Sequence, residues 1–202
     1  MIRAIIFDFG GVLLKYRPMP KYEYLEKIVG IPKEEIKKKV HEIAAPFVKG
    51  KISSKEFWKI LGEELGKNLP EDLHEKWWFI GFDPHLDEKV VKMARTLKEK
   101  GYKLGLLTNV IQPYYKLHLE KKHYEAVDFD AEVISCVDGV KKPEREAYLL
   151  ILKKLDVEPH EAIFIDDIEN YVEAARELGI HAILFENSKK LREEFLKYGI
   201  EV

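Results

Sequence analysis

Four groups of polar residues in this 202-residue chain have the side-chain types that phosphate or metal chemistry requires. The first is Asp8, which ends a short apolar run and is followed by Gly10 and Gly11. An ionised aspartate at the buried end of a strand needs compensation, and glycines let the backbone turn and approach a ligand closely. The other three groups are Thr108-Asn109, Lys142 and Asp166-Asp167. Taken alone, the first stretch also fits a strand ending in an Asx-type turn, so the question is whether the distant groups converge on Asp8.

The elements that would bring these groups together are short apolar runs separated by amphipathic helical segments. The apolar runs predict strands at 4–7, 103–107, 131–135, 162–165 and 181–185. Strands that alternate with helices indicate βαβ units, so we predict an α/β fold with a parallel sheet. Ligands of such sheets bind beyond the carboxyl ends of the strands, where three of the four polar groups fall.

The segment between the first two predicted strands is unusually long. About a dozen residues suffice for a crossover, whereas nearly a hundred intervene here. Helical patterns fill this segment, including a capping box at Ser53 and Glu56 and a helix that we expect to begin at Pro70. We therefore predict a core domain formed by 1–14 and 82–202, and a helical cap formed by 15–81 above the ligand-binding edge.

Three carboxylates, those of Asp8, Asp166 and Asp167, would meet at this edge. Their mutual repulsion predicts a cation, and ligand sets made only of oxygen select a hard ion. Handling of phosphate favours Mg²⁺ over Ca²⁺. Each group also has a purely structural interpretation: Thr108 as a helix N-cap, or the acidic pair as a helix start with a favourable dipole.

Composition excludes several classes of protein. The formal net charge of −2 gives no electrostatic footprint for nucleic acid, so we expect no nucleic-acid partner. No apolar run reaches the length of a membrane span, and Asp8 interrupts the N-terminal run too early for a signal peptide. The lone cysteine, Cys136, excludes an intrachain disulfide and suits a reducing compartment, so we predict a cytoplasmic protein. The oligomeric state stays open.

In order and spacing, the polar groups resemble the four motifs of the haloacid dehalogenase-like hydrolase superfamily over nearly the whole chain. The matching stretches are Asp8-Phe9-Gly10-Gly11-Val12, Leu106-Leu107-Thr108-Asn109, Lys142-Pro143 and Phe164-Ile165-Asp166-Asp167. The resemblance implies a Rossmann-like, doubly wound, mostly parallel sheet with an inserted helical cap. It also implies a Mg²⁺-dependent phosphatase acting on a small phosphorylated metabolite.

The resemblance assigns catalytic and phosphate-binding roles. Asp8 would attack phosphorus and form an aspartyl-phosphate, which is covalent catalysis by a carboxylate. Lys142 would neutralise charge on Asp8 and on the phosphoryl group. Thr108 would hold the phosphoryl oxygens through its hydroxyl and backbone N–H, and Asn109 would assist from the same turn.

The resemblance also assigns the metal ligands and exposes a departure from the family pattern. Asp8 and the backbone carbonyl of Gly10 would bind the metal together with Asp167 or Asp166, and Asp167 is the favoured direct ligand. Phosphatases of the family usually carry a second aspartate, the general acid and base, where Gly10 stands. Such a group contributes roughly 10² to 10⁴ in rate. We therefore expect slow turnover, restriction to good leaving groups, or a substitute from the cap or from water.

Other interpretations stay open. A non-catalytic binding or regulatory protein would explain Gly10 but not the retention of the other site residues. A 2-haloacid dehalogenase would carry a tyrosine in place of Gly10 and would not need a paired acidic metal site. A phosphotransferase would depend on the missing acid and base.

A second departure from the family pattern is Tyr171, which stands where relatives often have asparagine, with Asn170 one residue earlier.

Overall fold

The computed structural model describes residues 1–17 and 20–202 as a mixture of strands and helices. The strands are β1 (Ala4–Phe7), β2 (Leu14–Lys15), β3 (His85–Leu86), β4 (Lys103–Thr108), β5 (Ala131–Ile134), β6 (Ala162–Asp166) and β7 (His181–Leu184). The α-helices are α1 (Lys21–Val29), α2 (Lys33–Val48), α3 (Ser54–Leu65), α4 (Leu73–Lys76), α5 (Glu88–Glu99), α6 (Gln112–Glu120), α7 (Ser135–Asp138), α8 (Arg145–Leu155), α9 (Glu169–Glu177) and α10 (Ser188–Lys197). Short 3₁₀ helices cover Trp77–Phe79, His123–Ala126 and Pro159–Glu161.

A five-stranded parallel sheet forms the centre of the molecule, with the strand order β5-β4-β1-β6-β7. The first strand lies in the middle, where Phe7 pairs with Leu106 on one side and with Ile165 on the other. The carboxyl ends of β1, β4 and β6 therefore lie side by side. The predicted α/β fold with a mostly parallel sheet is confirmed.

Strand β1 is apolar throughout because helices cover both faces of the sheet. Ile5 and Phe7 belong to the cluster that includes Phe195 of α10, and Ile6 belongs to the opposite cluster with Ile151 of α8. All of these side chains are at most 1% exposed. Burial on both faces holds the end of β1, and hence Asp8, in a rigid frame.

Helices α1 to α4 pack around an apolar cluster of their own, which includes Leu25, Phe57 and Trp77. Ile111, which immediately precedes α6, joins the same cluster and brings these helices against the sheet. On either side of the helical segment, β2 and β3 form an antiparallel pair, with Leu14 opposite Leu86. The division into a core of 1–14 and 82–202 and a cap of 15–81 stays a prediction.

Of the two predicted helix starts in the helical segment, one is confirmed and one is wrong. The capping box is confirmed, because Ser53 Oγ accepts from the Glu56 N–H at 3.2 Å and Glu56 Oε2 accepts from the Ser53 N–H at 2.7 Å. The helix expected to begin at Pro70 instead begins at Leu73. The Pro70 carbonyl lies in a turn, where it accepts from Trp58 Nε1 at 2.9 Å. Among the described residues, no helix combines the length and apolar character needed to cross a bilayer.

Candidate active site

Asp8 lies at the carboxyl end of the central strand. Its N–H donates to the Ile165 carbonyl at 2.9 Å, and the residue is 6% exposed. The chain then turns sharply, with Gly11 at φ +94°. A Cβ on Gly11 would overlap the carboxylate of Asp167, so the glycine leaves free the space that this carboxylate occupies. The glycine therefore serves both the turn and the approach of Asp167 to the strand end.

Lys142 is buried between two carboxylates. Its Nζ donates to Asp8 Oδ1 at 2.7 Å and to Asp166 Oδ2 at 2.5 Å. The other oxygen of Asp166 accepts from the Ile168 N–H at 2.9 Å, and Asp166 is fully buried. Asp166 is thus engaged through both oxygens, and the lysine fixes its position relative to Asp8.

Asn109 positions the backbone of Lys142. Its Nδ2 donates to the Lys142 carbonyl and its Oδ1 accepts from the Lys142 N–H, both at 2.9 Å. The Tyr171 hydroxyl accepts from the same Nδ2 at 3.3 Å, and the Tyr171 ring lies 5.2 Å from Lys142 Nζ. Thr108, 3% exposed, ends β4 beside Asn109. The side chain of Asn109 therefore supports the lysine, and Tyr171, rather than the exposed Asn170, packs at the site.

The three aspartates predicted to meet do so. Asp8, Asp166 and Asp167 each contribute a carboxylate oxygen, and these oxygens lie within 4.8 Å of one another. Asp167 is the exposed member and forms no ion pair with residues 1–17 or 20–202. Three carboxylates with one lysine leave a net negative charge, and a set of oxygen donors of this kind fits a hard divalent ion.

The comparisons with known proteins agree with this geometry. A model of the haloacid dehalogenase-like hydrolase family matches residues 2–179. The chain belongs to the haloacid dehalogenase-like hydrolases. Sesquiterpene phosphatase astK of Aspergillus oryzae is 30% identical over 179 residues, covering 88% of this chain and 87% of that protein. D-ribitol-5-phosphate phosphatase of Bacteroides thetaiotaomicron is 27% identical over 202 residues, covering 96% and 97%.

A solved structure extends the likeness to the fold. The magnesium complex of a haloacid dehalogenase family enzyme from Bacteroides thetaiotaomicron superposes with a TM-score of 0.75 at 25% identity, covering 96% of this chain and 98% of that one. The predicted family, the α/β fold and the assignment as an enzyme of the hydrolase class are confirmed. The roles of individual site residues stay predictions.

The electrostatics of the hydrolase site are dominated by burial of like charges. Burial raises the pKa of Asp8 to about 7, with Asp166 adding to the rise and Lys142 opposing it. Burial and then the neighbouring Asp166 also raise the pKa of Asp167. Burial alone would lower the pKa of Lys142, but Asp8 and Asp166 outweigh it and raise that pKa. The site is therefore short of positive charge, which a divalent cation would supply.

Tyr16 is a site residue of the hydrolase that the sequence does not reveal. It follows β2, and its ring Cε1 and hydroxyl lie 3.6 and 3.8 Å from the position that a Cβ on Gly10 would take. Tyr16 is 46% exposed, but partial burial of its ring raises the pKa of its hydroxyl, and the charges of Asp167 and Asp8 add to this rise. The hydroxyl therefore keeps its proton near neutral pH. The hydroxyl lies close to where an aspartate at position 10 would carry its carboxylate. No spacing pattern marks Tyr16, because its position depends on the turn after β1.

Proposed function

We propose that this hydrolase cleaves a small phosphomonoester through an aspartyl-phosphate on Asp8. A carboxylate oxygen of Asp8 attacks phosphorus, the bond from phosphorus to the ester oxygen breaks, and the leaving oxygen takes a proton from water and departs as the alcohol. Water then attacks the acyl phosphate and releases inorganic phosphate. The observation that carries this proposal is the position of Asp8 at the strand end, 2.7 Å from Lys142 Nζ and within 4.8 Å of two further carboxylates.

Mg²⁺ is the cofactor that we propose for the acidic cluster. Asp8, Asp167 and the carbonyl of Gly10 would hold the ion, with Asp166 beside them. Asp167 is favoured as the direct ligand because both oxygens of Asp166 are already engaged, one by Lys142 and one by the Ile168 N–H. When bound, the ion would remove the repulsion between the attacking carboxylate and the phosphate dianion.

The chain's own residues would orient the reaction. Lys142 keeps the carboxylate of Asp8 in place and lowers the electrostatic barrier to attack on an anion. Asn109 holds the backbone of Lys142, which reduces the freedom of the ammonium group. Thr108, at the end of the neighbouring strand, would bind a phosphoryl oxygen through its hydroxyl and N–H.

Tyr16 is our candidate for the group that compensates for Gly10. A neutral phenol next to the cluster would donate a hydrogen bond to the leaving oxygen. A hydrogen bond from a phenol stabilises a developing alkoxide less than full proton transfer would. We therefore expect the enzyme to be slower on poor leaving groups than a relative that has an aspartate at that position.

The experiment that tests the proposal is hydrolysis of p-nitrophenyl phosphate and a panel of phosphorylated metabolites, with Mg²⁺ or with EDTA. We expect turnover that requires Mg²⁺ and is lost in Asp8→Asn. Asp128→Asn is the matched control, because its side chain is 85% exposed and far along the chain from the cluster. Absence of turnover on every ester would favour a binding protein, and release of halide from 2-chloropropionate would favour a dehalogenase.

A further inference from the structure

A buried lysine in the helical segment has no carboxylate partner among the residues that the structure describes. Lys21, the first residue of α1, is 8% exposed. Within residues 1–17 and 20–202, no carboxylate oxygen lies within the 4.0 Å of its Nζ that defines an ion pair. Burial of a cation costs several kcal/mol unless the charge is paired. Other groups around Lys21 must therefore offset the cost of burying its positive charge.

Aromatic rings supply part of the compensation. Lys21 Nζ lies 5.5 Å from the ring centre of Tyr22, 5.2 Å from Trp77, 5.1 Å from Trp78 and 5.7 Å from Tyr114. Such contacts stabilise a desolvated cation through the electrostatic attraction of the ring faces. An ammonium group has three N–H donors, and these ring contacts supply none of them with a conventional hydrogen-bond acceptor. One reaches the Tyr114 hydroxyl, at the long distance of 3.4 Å.

The ammonium group is held in place by its surroundings. The Lys21 carbonyl accepts from Trp77 Nε1 at 2.8 Å, which ties the backbone of the lysine to the end of the helical segment. The Tyr114 hydroxyl donates to the Trp78 carbonyl at 2.6 Å, so its oxygen faces the lysine as an acceptor. Burial lowers the pKa of Lys21 to about 8, which leaves the amine largely protonated at neutral pH.

Lys21 lines a cavity of about 220 Å³ that shares a wall with the candidate active site. Asn109, Val110 and Ile111 form part of this wall, and they are the three residues after Thr108. The remaining walls are largely apolar and include Val40, Phe47, Phe57 and Trp78. Of the described residues that line the cavity, Lys21 is the one that carries a positive charge. At about 30 Å³ per water the volume corresponds to roughly seven waters, enough for a short carbon chain and one polar group.

We propose that this cavity binds the far end of the substrate and that Lys21 is the counter-ion of a carboxylate there. The inference rests on the proposed phosphatase activity and names its substrate class: a phosphomonoester of an apolar alcohol that ends in a carboxylate. A monoanion is the better match than a second phosphate, since the cavity offers one cation and apolar walls. The phosphate would lie at Asp8 and Thr108, and the carbon chain would run along Asn109 to Ile111.

The test compares substrates that differ only in the distal group. Each ω-carboxyalkyl phosphate, with about three to seven carbons, is paired with the alkyl phosphate of equal length, so leaving alcohols are matched. Alkanediol bisphosphates form a third arm that detects a preference for phosphate. Because a hydrogen bond to a buried charge is strong, we expect wild-type kcat/KM to be about tenfold higher for the ω-carboxyalkyl phosphate than for the alkyl phosphate at one chain length.

The variants isolate the charge of Lys21. Lys21→Met keeps the apolar stem and should remove the carboxylate preference while hydrolysis of the alkyl phosphates persists. Lys21→Gln is the second neutral variant, should the first fail to fold. Lys27→Met, an exposed lysine on the same helix, should behave as wild type. Equal rates on both members of every pair in wild type, or an equal loss on both in Lys21→Met, would overturn the inference.

A binding measurement separates this inference from the proposed function. Trp77 and Trp78 lie next to Lys21, so occupancy of the cavity should change tryptophan fluorescence. Titration of Asp8→Asn with an ω-carboxyalkyl phosphate should give tighter binding than with the alkyl phosphate, and Lys21→Met should abolish that difference. If no ester is hydrolysed, the phosphatase proposal fails while this difference still supports the anion site. Equal affinities would refute the anion site even if hydrolysis occurs.

Discussion

Asn109 bonds the backbone of Lys142 at both ends of its amide, with the donor and the acceptor each 2.9 Å from their partners. This pair links the end of β4 to the loop that carries the lysine. The ammonium group of Lys142 in turn holds Asp8 and Asp166. The position of Asp8, the nucleophile that we propose, therefore depends indirectly on the side-chain amide of Asn109.

Asn109→Ala should lower kcat with little change in KM. The variant loses two neutral hydrogen bonds, each contributing about 0.5 to 1.5 kcal/mol. Because these bonds position Lys142, we expect kcat to fall roughly tenfold. Steady-state kinetics on p-nitrophenyl phosphate would measure it, with Asn170→Ala as the exposed control. A rise in KM with kcat unchanged would instead assign Asn109 to substrate binding.

Lys142→Met should destabilise the protein strongly, because it leaves two buried carboxylates without a counter-ion. Breaking a buried ion pair from one side costs about 3 to 5 kcal/mol. Without the lysine, which opposes the rise, the pKa of Asp8 in the folded state rises further above its unfolded value. The loss in free energy of unfolding relative to wild type should therefore be largest at pH 8. It should shrink toward pH 5, where Asp8 is protonated in the folded variant.

Urea unfolding of Lys142→Met at both pH values measures that deficit. Lys141→Met removes a charge from the adjacent position and should cost little, since Lys141 is neither buried nor in an ion pair with the described residues. The double variant Lys142→Met with Asp8→Asn should recover part of the loss. A deficit that is the same at pH 5 and pH 8 would contradict the electrostatic explanation.

Mg²⁺ binding should strengthen as pH rises to about 7 and then level off. The pKa of Asp8, raised by burial to about 7 in the metal-free protein, means that the ion must displace a proton below that pH. Calorimetric titrations in two buffers of different ionisation enthalpy would count the released proton. In Asp8→Asn the pH dependence should flatten. An unchanged slope in that variant would show that a different group is titrating.

Tyr16→Phe should slow the hydrolysis of esters with poor leaving groups more than that of p-nitrophenyl phosphate. A phenol that donates to the leaving oxygen matters most when that oxygen accumulates charge. We expect about a tenfold loss on alkyl phosphates, at the weaker end of positioned acid catalysis, and at most a small loss on p-nitrophenyl phosphate. Leaving-group dependence of kcat/KM is the measurement, with the exposed Tyr24→Phe as the control. Equal losses across the series would reduce Tyr16 to a packing role.

Gly10→Asp should accelerate the cleavage of poor leaving groups only when Tyr16 makes room. A Cβ at position 10 fits, but its carboxylate would compete with the Tyr16 hydroxyl, which lies 3.8 Å from that Cβ. We therefore expect little gain in the single variant and a gain of about 10² in Gly10→Asp combined with Tyr16→Ala, the lower bound for a positioned acid and base. Tyr16→Ala alone is the control. No gain in the double variant would mean that proton transfer does not limit turnover.

Much of the site follows from local sequence. Each of Asp8, Thr108 and Asp166 lies at or directly after the carboxyl end of a strand, and parallel strands bring such ends to one edge. Contacts between side chains and loops lie beyond the reach of this rule. The bonds from the amide of Asn109 to the Lys142 backbone are such a case, since the loop carrying the lysine crosses beside β4. The predicted role of Asn109 in phosphate binding stays a prediction.

The amino-acid sequence alone determined the order of strands and helices, the both-faces burial of β1 and the set of polar residues at the strand ends. These features depend on the spacing and type of side chains that are neighbours in the sequence. Tertiary structure alone decided that Tyr16 lies over Gly10 and that Lys21 lies among four rings, with no carboxylate partner in the part of the chain that the structure describes. The reason is physical: the path of the turn after β1 sets the position of Tyr16, and packing between segments far apart in the chain sets that of Lys21. Distance and burial, rather than local propensity, decide which groups meet.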